Sequence, residues 1–375
     1  MEESSLKRLG IYIHVPFCLK KCPYCAFYSV RITKDTLENY VKMLIEIIKE
    51  WGKILAHKYI VDTVYFGGGT PNLLSEKNIG DILAEIERHF KLIDTEITLE
   101  VNPFSANAFS FEKLKEDGIN RVSVGMQSAS NIELAAIGRL HSHEETIKTI
   151  EKIKNAGISN ISLDIMLNIP KQTKKSLEKT LNFCKESSVD HVSAYILKIE
   201  KGTFFYENRE TLDLMTEEEQ CSNYLYTVNK LQDFDFKQYE ISNFSKKGKQ
   251  SRHNLKYWNL EDYLGLGPSA HSLINGKRFF YENSLENFLS TQNVIIEDSK
   301  INAEEEYVML RLRLREGLVN ELYLEKFKKN IPREYFLKAK NFERIGLLKI
   351  TENKNISLTS KGFLISNKII SDILF

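Results

Sequence analysis

The sequence predicts an α/β fold built on a parallel sheet, and two observations carry that prediction. Between residue 11 and about residue 200, six short β-rich runs alternate with helical patterns, and consecutive βα units set their strands side by side in parallel. Most residues with chemical potential fall where those runs end, which is where barrels carry their active sites. Periodicity alone allows an open doubly wound sheet or part of a (β/α) barrel. The strand-end placement favours the barrel.

The strand candidates, in order, are IYIHV (11–15), DTVYF (62–66), EITLEV (96–101), RVSVGM (121–126), ISLDIM (161–166) and HVSAYIL (191–197). Each is short and rich in β-branched or aromatic residues. Between them the apolar residues recur near the 3.6-residue helical repeat, most clearly in TLENYVKMLIEIIKEWGKIL (36–55) and SLEKTLNFCKE (176–186). After residue 200 the alternation fades. TEEEQCSNYLYTVNKLQ (216–232) reads as a helix and KQYEIS (237–242) as a strand, while SRHNLKYWN (251–259) and YLGLGPSAHS (263–272) read as loop. From about residue 295 the chain turns helical and charged, as in AEEEYVMLRLRLREGL (303–318), and residues 345–374 read as a β-hairpin followed by a helix, like a small winged helix. The expected domains are 1–290 and 291–375.

Composition narrows the function. The 375 residues suffice for one large domain and a smaller one. With 42% hydrophobic and 27% charged residues the chain has the balance of a soluble globular protein. A net charge of +1 supplies no field to draw nucleic acid or an anionic membrane, and it argues against a DNA role for the winged-helix-like end. No apolar run approaches the roughly 18–20 residues of a membrane span, and MEESSLKRLG lacks the features of a signal peptide. The expected location is the cytoplasm, where thiols stay reduced and clustered cysteines point to metal or redox chemistry.

Three of the five cysteines, Cys18, Cys22 and Cys25, crowd into IHVPFCLKKCPYCAFYS (13–29), whereas Cys184 and Cys221 fall in helical patterns and read as packing residues. A zinc site would need a fourth ligand from His14, Cys184, Cys221 or another distant residue. A cubane held at three corners instead leaves its fourth iron open to an outside ligand. FGGGTP (66–71) is either a plain tight turn or a loop whose backbone approaches a ligand closely. Pro71 stands where a phosphate loop would carry lysine, which argues against that variant. Glu100, Gln127 and Asp164 read as strand-end polar residues or, for an adenosyl ligand, as partners of ribose hydroxyls in a frame completed by Arg139. RHNLKYW (252–258) offers a surface histidine beside packed aromatics, or an imidazole for heme iron with aromatic faces for a porphyrin.

Taken together, the Cys-x3-Cys-x2-Cys spacing and the motifs YIHVPFC, YFGGGTPNLL, EVNP, RVSVGMQS, YEISNF, SRHNLKYWN and YLGLGPSAHS resemble the radical S-adenosylmethionine (SAM) superfamily. Within it they are similar to the branch of oxygen-independent coproporphyrinogen III oxidase and the HemW-type heme chaperone. The resemblance runs in order from Tyr12 to His271 and continues more loosely beyond. It implies a partial (β/α)6 radical SAM barrel with a smaller C-terminal α+β, winged-helix-like domain. It also implies a 4Fe-4S cluster on Cys18, Cys22 and Cys25, with SAM on the open iron.

The family further implies a SAM site at Tyr12, Tyr24, Gly68, Gly69, Thr70, Glu100, Gln127, Arg139 and Asp164. It places heme at the HNxxYW segment, with His253 as the leading ligand, Tyr257 and Trp258 beside it, and His271 either as a second candidate or as a border of the SAM site. Two departures separate the chain from the oxidase pattern: Phe27 stands where that enzyme carries a fourth cysteine, and only 17 residues precede Cys18 where it has a long segment. Both favour a chaperone that hands heme to an acceptor hemoprotein, with the acceptor and the electron donor unidentified by the sequence. The alternative is radical decarboxylation of coproporphyrinogen III propionates to vinyl groups, so enzymatic activity stays open.

Overall fold

The computed structural model describes residues 6–107, 109–290, 294–296 and 302–375. Six strands, β1 (Lys7–Val15), β2 (Tyr59–Gly68), β3 (Lys91–Val101), β4 (Arg121–Gln127), β5 (Asn160–Leu167) and β6 (His191–Ile196), follow the expected runs. They lie in chain order, and every neighbouring pair is parallel. A doubly wound sheet reverses its strand order at a switch point. Here the order advances from β1 to β6 without reversal, which is how a barrel winds. The other neighbour of β1 is the parallel strand Tyr263–Leu266, so the barrel is partial. From that strand the sheet continues antiparallel through His271–Ile274, Lys277–Tyr281 and Val294–Ile296.

Local chemistry explains the elements. Strand β2 is buried along nearly its whole length, as expected of a parallel strand covered on both faces. Helix α1 (Lys34–Leu55) starts at a Thr33–Thr36 capping box and buries Tyr40, Val41, Leu44, Ile47, Ile48 and Leu55 along one face. Helix α2 (Glu76–His89) starts the same way, at Ser75 and Asn78. Ile11, Ile13, Val64, Leu99, Val122 and Leu163 are fully buried core residues of the strands.

The chain divides into two compact units. One holds the barrel, runs to Met215 and resumes at Asp262; the other holds Thr216–Glu261 and the C-terminal stretch ending at Phe375. The expected single cut at residue 290 therefore misplaces residues 216–261. Long-range backbone pairing is the reason: Glu240 bridges Leu314, Ile241 N–H donates to Arg313 O at 3.0 Å, and Arg315 N–H donates to Tyr239 O at 2.9 Å.

Other local expectations are also corrected. Residues 237–242 are not one strand, because Glu240 turns back to accept the Ser242 N–H at 3.1 Å; the strands there are Lys237–Gln238 and Asn243–Ser245. Residues 252–258 form a helix rather than a loop, capped where Ser251 accepts the Asn254 N–H. Residues 263–272 supply strands. The helix expected over 303–318 stops at Arg311, since Leu314 and Leu318 are drawn into bridges with Glu240 and Ile356. Residues 297–301, where the chain was expected to turn helical and charged from about residue 295, lie outside the described residues. The C-terminal hairpin, Leu348–Ile350 with Ile356–Leu358, is followed by helices Ser360–Leu364 and Ser366–Leu374. Cys184 is buried as expected, but Cys221 is exposed.

Candidate functional site

The loop after β1 is closed by a short parallel pairing of Phe17–Cys18 with Val30–Arg31, and the Val30 N–H donates to Pro16 O at 2.7 Å. Inside it, Cys25 N–H donates to Cys22 O at 3.1 Å. Cys18, Cys22 and Cys25 all line one cleft of about 440 Å³ at the C-terminal ends of the strands, a size suited to a small ligand (roughly 300–1,000 Å³). Around the thiols, Thr70 Oγ1 lies 3.7 Å from Cys18 Sγ, and Arg139 Nη1 lies 3.9 Å from Cys22 Sγ. Among the described residues no three of His, Cys, Asp or Glu are gathered to hold one metal ion. A cubane takes each thiolate on a different iron and requires only that the three face a common space, which this donor set does.

The glycine run has a close-packing role. Gly69 donates its N–H to Val15 O at 2.8 Å, and a Cβ on it would stand 2.6 Å from Phe17 O and 3.0 Å from Cys18 Sγ. Only glycine lets the end of β2 press against the cysteine loop in this way. Gly68, at φ +112°, packs on the His14 ring, and with Thr70 and Pro71 it also lines the cleft.

Glu100 and Asp164 reach the same cleft from β3 and β5. Glu100 Oε1 accepts the Tyr65 hydroxyl at 2.7 Å and Oε2 accepts the Gly68 N–H at 3.3 Å. Burial, reinforced by the Asp164 carboxylate, pushes its pKa up to about 7. Asp164 accepts the Ser123 hydroxyl on both oxygens, at 3.0 and 3.2 Å; burial raises its pKa while hydrogen bonds from Ser193 and Ser123 oppose the rise. Gln127 ends β4 in the left-handed region at φ +67°, a strained conformation of the kind that functional sites retain. Arg139 is fixed by donating from Nη2 to Gly125 O at 3.0 Å. Tyr24 lines the cleft, and burial pushes its pKa upward.

Tyr12 is not among the lining residues. Its hydroxyl meets His14 Nδ1 at 3.0 Å and its ring stands 6.1 Å from that of Tyr65, whose hydroxyl bonds Glu100. His14 is buried, which lowers its pKa to about 4, and the imidazole is neutral there. Sequence reasoning missed Tyr65 and Ser123 as site residues. The strand register reveals them: Tyr65 pairs with Thr98, two residues before Glu100, and Ser123 pairs with Glu100, so alternate residues on neighbouring strands share a face.

The HNxxYW residues belong to the second unit. His253 is buried, with Nε2 at 2.8 Å from the Tyr257 hydroxyl one helical turn away. Trp258, the last residue of that helix, is half-buried. His271, in the barrel unit, is exposed and stacks on Phe280 at 4.9 Å between ring centroids. Among the described residues no helix is long and apolar enough to cross a membrane.

Comparison with known proteins places this geometry. The family profile of the radical SAM superfamily matches residues 12–184, and that of the HemN C-terminal domain matches residues 298–365. The chain is 32% identical to the heme chaperone HemW of Bacillus subtilis over 97% of its own length and 98% of that protein's. It is 31% identical to the heme chaperone HemW of Lactococcus lactis, over 97% and 96% of the two lengths. A solved structure of coproporphyrinogen III oxidase (HemN) from Escherichia coli superposes with a TM-score of 0.82, covering 99% of this chain and 91% of that one at 19% identity. That likeness is one of fold.

Proposed function

Because this chain belongs to the radical SAM superfamily, in the family of the heme chaperone HemW, we propose that it carries heme to an acceptor hemoprotein and holds a 4Fe-4S cluster and SAM. The carrying observation is full-length similarity to two proteins named for that role. Phe27 supports it: the residue at the place of the oxidase's fourth cysteine lines the cleft and is 68% exposed, an apolar ring where that enzyme has a thiol.

In this reading Cys18, Cys22 and Cys25 bind three irons, and the cluster, when bound, supplies one-electron chemistry and an open iron. Gly68, Gly69 and Thr70 present backbone and hydroxyl groups to the amino acid end of SAM. Glu100 and Asp164 accept hydroxyl hydrogens, Arg139 and Gln127 frame the rest of the ligand, and Tyr65 and Ser123 hold the two carboxylates in place. His253 is the leading heme ligand. Coordinating iron through Nε2 requires it to exchange its bond with Tyr257 for the metal, so Tyr257 gates that nitrogen.

Titrating the purified protein with heme tests the proposal, together with product analysis after incubation with coproporphyrinogen III, SAM and a reductant. Heme binding without decarboxylation is expected. Conversion to protoporphyrinogen at enzyme-like rates with no heme binding would reverse the reading in favour of the oxidase.

A further inference from the structure

The segment between the second and third cysteines is held from two sides by residues that offer no metal ligand. On one side, Phe205 N–H donates to Pro23 O at 2.9 Å. The Tyr24 ring lies 6.4 Å from that of Phe205 and packs against an apolar cluster of Ile137, Met166, Ile169 and Leu197. On the other side, Gly138 adopts φ +70° and approaches so closely that a Cβ would stand 2.6 Å from Pro23 Cδ. The next residue, Arg139, is tied to Gly125 O and reaches toward Cys22 Sγ. Pro23 and Tyr24 are the residues that separate Cys22 from Cys25, so whatever fixes them fixes the directions of two thiols.

We propose that Gly138 and Phe205 are positioning residues that clamp Pro23 and Tyr24 and set the cysteine loop in the shape the cluster needs before iron arrives. The inference rests on the reading of Cys18, Cys22 and Cys25 as cluster ligands. A loop ordered in advance loses less freedom when it binds, and its complex is tighter for that reason. Neither clamp acts through the metal. Gly138 serves because any side chain there would displace Pro23 and would be strained at positive φ. Phe205 serves through one backbone bond and one ring face.

The test compares anaerobically reconstituted full-length protein with its Gly138→Ala, Phe205→Ala and Gly118→Ala variants. Gly118 is the control: it also has positive φ, at +106°, but a Cβ there meets only Ile97 Cδ1 at 3.4 Å, in the turn that precedes β4. Iron release to a chelator and amide hydrogen exchange at residue 205 in the cluster-free protein are the readouts. In Gly138→Ala iron should leave about tenfold faster, and in Phe205→Ala it should also leave faster than in the unchanged protein. In Gly138→Ala the residue 205 amide should also lose protection. Gly118→Ala should release iron at the unchanged rate even where its unfolding midpoint falls.

Iron held as firmly in Gly138→Ala and Phe205→Ala as in the unchanged protein would overturn the inference. Equal loosening in Gly118→Ala would overturn it too, by assigning the effect to general destabilisation. If Gly138→Ala does not fold, Phe205→Ala decides the matter. Failure of the unchanged protein to take up any iron would instead overturn the cluster reading, and this inference with it.

Discussion

Replacing Glu100 by glutamine should change stability in a way that depends on pH. The carboxyl has a pKa near 4.5 when unfolded and about 7 when folded, because burial and the neighbouring Asp164 carboxylate oppose its charge. Below pH 4.5 both states hold the proton. Between 4.5 and about 7 the unfolded chain releases it while the folded chain keeps it. The folded state therefore loses stability as pH rises across that window, and the loss is complete above it. A shift of this size corresponds to at most about 3 kcal/mol, an upper limit because half-buried Glu100 borders a cleft open to water.

Glutamine cannot ionise, so Glu100→Gln should gain up to about 2 kcal/mol relative to the unchanged protein between about pH 5.5 and about pH 8. A fixed offset accompanies this gain. The amide oxygen can still accept from Tyr65, but the amide nitrogen then faces the Gly68 N–H. Two donors in contact cost the same at every pH. Urea unfolding of both cluster-free proteins at the two pH values separates the offset from the titrating part. A stability difference that is equal at both pH values would refute the assignment of a raised pKa to Glu100.

Serine at Cys18, Cys22 or Cys25 should abolish cluster uptake, whereas Cys184→Ala and Cys221→Ser should leave iron content unchanged; zinc-loaded, iron-free protein with intact activity would count against the cluster. Asp164→Ala should weaken SAM binding roughly tenfold or more by loss of a charge-assisted hydrogen bond, with iron content unchanged, as measured by equilibrium dialysis. An unaltered affinity would remove Asp164 from the site. His253→Ala should weaken heme binding and shift the Soret band, while Trp258→Ala should weaken binding with less spectral change because it removes packing area. Tyr257→Phe removes one partner of His253 Nε2 and should raise heme affinity; a lower affinity would place the Tyr257 hydroxyl in the heme contact itself.

The barrel was legible because its signal is local. Strands such as IYIHV and ISLDIM declare themselves by composition, and the helices between them by spacing, before any long-range contact is considered. The same locality explains what was missed. Nothing near KQYEIS reveals that Glu240 will bridge Leu314, so the break in that strand and the grouping of residues 216–261 with the C-terminal part were hidden. Glu100 and Asp164 were legible as strand-end carboxylates, but Tyr65 resembles any aromatic strand residue until its register beside β3 is known. The HNxxYW motif showed a histidine among aromatics but not its burial, which depends on how the Arg252–Trp258 helix packs.

The pairing of β1 also has a consequence for how the protein is made. Gly10 to Ile13 lie beside Tyr263 to Leu266, so β1 gains one of its two neighbours only after every strand and helix between them has been synthesised. It can join β2 early, but its other edge keeps backbone donors and acceptors uncovered throughout that interval. Such an edge is open to mispairing with other chains, and pairing over so long a separation is slow. Gly267, whose absent Cβ would stand 2.5 Å from His14 O, can dock beneath the cysteine loop only when that late strand arrives. Until then the loop rests on an unfinished sheet, and its thiols meet the surrounding solution before the floor beneath them is in place.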